Sequence, residues 1–169
     1  MRQEDAKVVG DFLLSMLEHE LQTTTGVLAA VPSDRLDYKP DPMSKSALEL
    51  VRHIALEDEW ILNSIAEGRF SPLPDDSDAC GIMAPQDAVA RYKQRIPAAI
   101  SRVRALTAEA LAQPIDFFGT VLPGVVILSI MVRHSIHHRG QLSKYLRPMG
   151  GKVPSIYGPS ADTQMVAAG

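Results

Sequence analysis

Three of the five histidines in this sequence fall within five residues, His134-Ser135-Ile136-His137-His138; the others are His19 and His53. In a helix successive residues turn by about 100°, so His134 and His138 lie about 40° apart and one turn along the axis. Two imidazoles at that spacing can point at one ion. A helical wheel gathers Ile127, Ile130, Met131, His134, His138, Gln141 and Tyr145 into one band. His137 falls about 80° from the centre of that band. His134 and His138 are therefore the inward pair, and His137 is a flanking or surface residue.

A third donor has to come from another helix. His53 borders an apolar stripe, with Glu57 one turn further and Trp60 beside them. Three histidines plus an open position is the pattern of a catalytic rather than a structural metal site. A plainer reading stands beside this one. A lone histidine on an apolar face is more often a hydrogen-bonded core residue, and a pair at this spacing also caps or packs. The residues alone leave both open. Glu57 reads as a fourth ligand, a partner orienting an imidazole, or a solvated helix residue. In the catalytic reading, Glu57 or Gln141 orients a bound ligand or shuttles its proton.

Other signals are weaker. His19 falls near Thr23 on the expected inner side of its helix, as a packing or pocket-lining residue. Gly140, costly by about 1 kcal/mol in mid-helix, suggests a close helix crossing. The methionines read as gap-fillers, and the single Cys80 has no Cys or His neighbour to activate it. No Gly-rich phosphate loop is present, and Ser135 stands where an HExxH zinc-protease motif needs Glu.

The elements that must position these residues are helical. Prolines and glycines cut the chain into four long segments with helical periodicity. The first spans about Asp5 to Val31, with Val9, Phe12, Met16, Thr23 and Val27 on its inner face. Ser46 and Glu49 form a capping box that opens the second, whose stripe is Ala47, Leu50, Val51, Ile54, Ile61 and Ile65 before a stop at Gly68. Phe70 to Ala84 reads as a loop. A third helix starts near Pro85 and carries Val89, Tyr92, Ile96, Ala99, Val103 and Leu106 on one side, with Pro97 expected to kink or split it. The fourth runs from near Pro123 to about Arg147, and the tail from Lys152 is irregular with a frayed end. No strand is expected. The fold class is all-α, a four-helix bundle forming one domain over residues 1–169, and bundles place metal sites in their interior. The loops between helices one and two and between two and three are long enough to permit an order other than up-down-up-down.

Composition bounds the function. A chain of 169 residues suits one domain, and 46% hydrophobic with 22% charged is ordinary for a globular protein. Seventeen basic against 20 acidic residues give a net charge of -3, with no basic block to favour nucleic acid or anionic membrane. One cysteine excludes an internal disulfide framework and points to a reducing compartment. The N-terminus lacks a signal-peptide core, and Val121 to Met131 is too short to span a bilayer. A cytoplasmic protein is expected.

The run His134-Ser135-Ile136-His137-His138-Arg139-Gly140-Gln141-Leu142, with Tyr145-Leu146-Arg147, resembles the last-helix signature of the DinB/YfiT-like family. Tyr38-Lys39-Pro40, Ser44-Lys45-Ser46 and Leu50-Val51-Arg52-His53-Ile54-Ala55 resemble its upstream part, and Val153 to Ser160 its closing segment. The resemblance covers nearly the whole chain to about Ser160, and its HxxxHRGQ element is the specific part. It implies a four-helix bundle of unusual connectivity, commonly a homodimer. It also implies a metal triad of one histidine on helix two and two on helix four, which match His53, His134 and His138. Relatives include thiol-dependent transferases and isomerases that use low-molecular-weight thiols such as mycothiol or bacillithiol; the DNA-damage label of others describes expression, not DNA binding.

The expectation is a metal-dependent enzyme that holds Zn or Ni and transfers a thiol to a small molecule or hydrolyses one. The alternatives are a non-catalytic metal-binding or stress-response bundle, and a metal-free interaction partner with structural histidines.

Overall fold

The computed structural model describes residues 2–163. Five helices and one hairpin follow in the order α1 (Gln3–Ala29), α2 (Ala47–Glu67), α3 (Pro85–Arg104), α4 (Ala108–Ala112), β1 (Pro114–Phe117), β2 (Thr120–Pro123) and α5 (Gly124–Leu146). The architecture is an all-α bundle. α1 packs against α3 and α5, and α2 packs against the same two, so α1 and α2 sit diagonally across the bundle. The chain segment from Ala30 to Ser46 makes that crossing, and simple up-down-up-down order is excluded.

Local chemistry explains most boundaries. Ser46 Oγ accepts the Glu49 N–H at 3.2 Å, and Glu49 Oε2 accepts the Ser46 N–H at 2.5 Å, closing the capping box that starts α2. Gly68 ends α2 in the left-handed region at φ 68°, where glycine is unstrained. The loop from Phe70 to Ala84 holds only one 3₁₀ turn, Asp78–Cys80. It is pinned to α2 by Arg52, whose buried guanidinium donates to Ile82 O at 2.8 Å, Asp76 O at 3.1 Å and Asp78 Oδ1 at 2.6 Å.

Several expectations are corrected. A hairpin is present: β1 and β2 pair antiparallel from Pro114↔Pro123 to Phe117↔Thr120. Its four-residue strands lie between prolines, and the apolar run of β2 merges into α5, which hid them. α3 runs through Pro97 without splitting. The inner line of α1 is Ala6, Gly10, Leu14, Leu17, Thr24, Val27 and Leu28, while Val9, Phe12 and Met16 face outward. This helix is apolar on two sides, and the side with small residues wins because α4 must come close. A Cβ on Gly10 would stand 3.0 Å from Leu111 Cδ1. His19 is consequently exposed rather than inward, its Nδ1 2.7 Å from Ser15 O. Gly140 has nothing within 4 Å of a built Cβ, so it marks no close crossing. Cys80 is half-buried in the 3₁₀ turn and its Sγ accepts the Ile82 N–H.

The tail to Thr163 is irregular but tied down, with Asp162 Oδ2 accepting from Arg147 and from Val153 N–H, each at 2.9 Å. The frayed end expected beyond it lies outside the described residues. Among the described residues no helix is long and apolar enough to cross a membrane.

A candidate three-histidine metal centre

α2 and α5 run antiparallel along one side of the bundle, Gly124 near Ile65 at one end and Tyr145 Oη donating to Lys45 O at the other. This brings His53 of α2 opposite His134 and His138 of α5. The ring centroids are 5.1 Å apart for His53 and His134, 4.2 Å for His53 and His138, and 4.4 Å for His134 and His138. One nitrogen from each ring lies within 4.8 Å of the other two. The three rings are half-buried at the bundle surface and can hold a metal ion between them.

The hydrogen bonds show which nitrogens are free. Glu57 Oε1 is 2.8 Å from His53 Nδ1. Burial works to raise the Glu57 pKa, but the hydrogen bond from His53 and the nearby imidazoles outweigh it, so the group ends below its ordinary value. An ionised carboxylate only accepts, so His53 Nδ1 is the donor to Glu57, and Nε2 is the ring nitrogen left for another partner. That Nε2 is buried with no partner among the described residues, as is His134 Nδ1. Gln141 Oε1 lies 3.0 Å from His138 Nδ1 and orients the third ring in the same way. Burial, followed by the charges of the other imidazoles, lowers His138 to about 4 against the pull of Gln141. His134 is lowered too, by burial first, with Glu57 opposing. Converging imidazoles with unpartnered buried nitrogens offer the donors that a divalent cation requires. The residues fit such an ion.

The remaining candidates are placed as follows. Glu57 Oε2 is 3.4 Å from His134 Nε2, so its carboxylate bridges two of the rings from outside the donor group. Among the described residues no fourth donor completes the group. His137 is exposed, its ring 4.8 Å from that of His138. A hollow of about 240 Å³ opens beside the triad, lined by Lys45, His53, Leu56, Glu57, Leu73 and Asp76 together with Pro74.

Sequence reasoning missed the polar groups beneath the site. Asp58 is fully buried, and its Oδ2 accepts from Tyr92 Oη and Ser135 Oγ, each at 2.7 Å. The signal was available, since Asp58 stands in the stripe Ile54, Asp58, Ile61, Ile65, where a charge is out of place. Burial pushes its pKa from 3.8 up to about 6, against the two hydroxyl hydrogen bonds. The protonated form therefore favours the fold, and this contribution is full below about pH 4 and lost as pH rises through about 6. The shift corresponds to about 3 kcal/mol. Urea titrations of wild type and Asp58→Asn at about pH 4 and about pH 7 are expected to move in the variant's favour by about 2–3 kcal/mol at the higher pH. Parallel pH profiles would show an ordinary carboxyl.

Comparisons with known proteins place the fold and the family. YjoA of Bacillus subtilis (strain 168) is 32% identical over 130 residues, 75% of this chain and 82% of that protein. YrdA of the same organism is 38% identical over 56 residues, a third of each chain. The crystal structure of the DinB-like YjoA superposes with a TM-score of 0.65 at 27% identity, over 90% of this chain and 99% of that one. A DinB-like protein from Bacillus cereus ATCC 10987 gives a TM-score of 0.69 at 22% identity, over 86% and 95%, and shares the fold. The model of the DinB family matches residues 3–165, nearly the whole chain from α1 into the tail; the chain belongs to the DinB family.

Proposed function

We propose that this protein is a metal-dependent enzyme that transfers a low-molecular-weight thiol to a small electrophile, with hydrolysis of a small molecule as the related chemistry of the same site. The observation that carries the reading is the convergence of His53, His134 and His138, two with a buried unpartnered nitrogen, beside an open hollow. Structural sites close with a fourth protein ligand, whereas catalytic ones keep a position for substrate. Imidazole donors suit Zn or Ni. His53, His134 and His138 would hold a divalent cation, which when bound would supply the charge that lowers the pKa of a thiol or water.

The chain's own residues do the rest. Glu57 and Gln141 fix the rings of His53 and His138, and Glu57 stands at the hollow to take the thiol proton. Leu56, Leu73 and Pro74 exclude water from one side of it. The sulfur forms the new bond to carbon and the leaving group departs with its electron pair. The substrate is a small molecule and not a nucleic acid, in line with the net charge of -3, and a reduced thiol as co-substrate suits a cytoplasmic reaction.

The test is thiol consumption with 1-chloro-2,4-dinitrobenzene by tag-free, Zn- or Ni-loaded protein. Turnover is expected in wild type, absent in His138→Ala, and lowered about 10–100-fold in Glu57→Gln, the usual effect of removing a partner that orients a ligand. Wild type no faster than His138→Ala with any thiol tried sinks the enzymatic reading and leaves a non-catalytic metal-holding bundle.

We also infer a homodimer through the outer face of α1, where Val8, Val9, Phe12 and Met16 are exposed by 72, 37, 65 and 37%. Such an apolar stripe marks an interaction surface. Phe12→Asp is expected to convert a dimer to a monomer in sedimentation velocity with unchanged helical content; a wild-type monomer refutes the inference.

A further inference from the structure

The hairpin turn breaks a local rule. Phe118 and Gly119 form a two-residue turn with φ of 52° and 83°. Such turns favour Asn or Asp before Gly, because only short polar residues and glycine enter the left-handed region cheaply. A phenylalanine there costs about 1–2 kcal/mol. Core packing does not repay it, since the side chain is 69% exposed. The ring instead stands on the rim of a cavity of about 550 Å³, near Trp60 (centroids 6.1 Å), Phe70 (6.3 Å) and Phe117 (5.0 Å). Trp60 is itself fixed by its indole N–H, which donates to Ser71 Oγ at 3.0 Å. One strained, exposed aromatic set beside Trp60 and Phe70 at a cavity of ligand size points to binding.

Charge selects the ligand. Arg69 lines the same cavity and is exposed, with no ion pair to its guanidinium among the described residues. The one carboxylate on the wall, Asp116, already accepts the Gly119 N–H at 2.7 Å to hold the turn. A cation would meet Arg69, while an anion would pair with it. We propose that this cavity is a binding subsite for a planar aromatic acid, its ring against Trp60, Phe70 and Phe118 and its acidic group facing Arg69.

The subsite is separate from the triad. Trp60 follows His53 by seven residues, about 10 Å along α2, and Leu73 lines both hollows. The assignment goes beyond the thiol-transfer reading and does not need turnover to be tested.

Trp60 is the only tryptophan in the chain and reports on its own cavity. Its fluorescence is titrated in metal-loaded protein with three nitroaromatic quenchers of one shape: 4-nitrobenzoate, 4-nitrobenzyl alcohol and 4-nitrobenzyltrimethylammonium. Saturable quenching is expected, with the carboxylate binding about tenfold tighter than the alcohol and the cation weakest. Arg69→Ala should bring carboxylate and alcohol together, and Phe118→Ala should weaken both several-fold, as loss of an aromatic contact does. His138→Ala should change nothing, which separates this site from a carboxylate captured by the metal. Non-saturable quenching, tighter binding of the cation, or loss of the signal in His138→Ala overturns the proposal. So does a Phe118→Ala that leaves quenching intact but dissociates a dimer, because the rim would then belong to a second copy.

Discussion

Glu20→Ala is expected to destabilise the protein by about 3–5 kcal/mol, the usual result of stripping the partner from a buried charge. Arg139 is 1% exposed, the largest fully buried side chain among the described residues. Its guanidinium is ion-paired to Glu20 and also donates to Thr24 Oγ1 at 3.2 Å and Tyr157 Oη at 2.5 Å. Tyr157 Oη in turn donates to Glu20 Oε1 at 2.9 Å. One cation thus joins α5, α1 and the C-terminal segment. Without Glu20 the charge keeps only neutral partners in a low-dielectric interior. For a chain of this size the melting temperature should fall by on the order of 10 °C. Tyr157→Phe, which removes the two hydrogen bonds of this hydroxyl but leaves the ion pair in place, should cost less, about 1–2 kcal/mol. The double variant Glu20→Ala/Arg139→Met should recover most of the loss, because the penalty lies in the uncompensated charge and not in the missing pair. Denaturant titration of the four proteins checks this; a Glu20→Ala midpoint within error of wild type would mean that Arg139 is solvated.

That network shows what the sequence could and could not convey. Arg139 was visible in the motif that follows His138, but only as part of a signature. Its burial follows from the true core direction of α5, which runs through Leu128, Val132, Ser135, Arg139 and Leu142. Those positions include two polar residues, so a wheel weighted by hydrophobicity turned the band toward Ile130 and His134 instead. The rotation is small enough that His134 and His138 still came out on the side facing α2. α2 was the most legible element, since its capping box and Gly68 are local chemistry that no tertiary contact overrides. α1 was the least, because it is apolar on two faces and only Gly10 against Leu111 reveals which one is closed. The hairpin escaped because strands of four residues carry too little period-2 pattern to stand out from a helix start. His53 could be paired with the α5 histidines only by asking for a third donor; its distance from them depends on the antiparallel packing of α2 and α5, which periodicity does not encode.

The proposed metal centre rests on three side chains that converge, and removing any one of them is expected to matter more than removing a neighbour. Removing an orienting partner such as Glu57 typically costs about 10–100-fold in affinity. Removing one of three protein donors costs more, because the remaining two rings leave half of a four-coordinate shell to solvent. His53→Ala also takes away the α2 side of the site, and His138→Ala one of the two α5 donors. His137→Ala, one residue from His138 and exposed, is the matched control. The measurement is elemental analysis of tag-free wild type, His53→Ala, His138→Ala and His137→Ala after incubation with Zn and with Ni and exhaustive dialysis. Close to one ion per chain is expected in wild type and His137→Ala and almost none in the other two. Wild type without metal, or equal metal in all four, would contradict the metal triad.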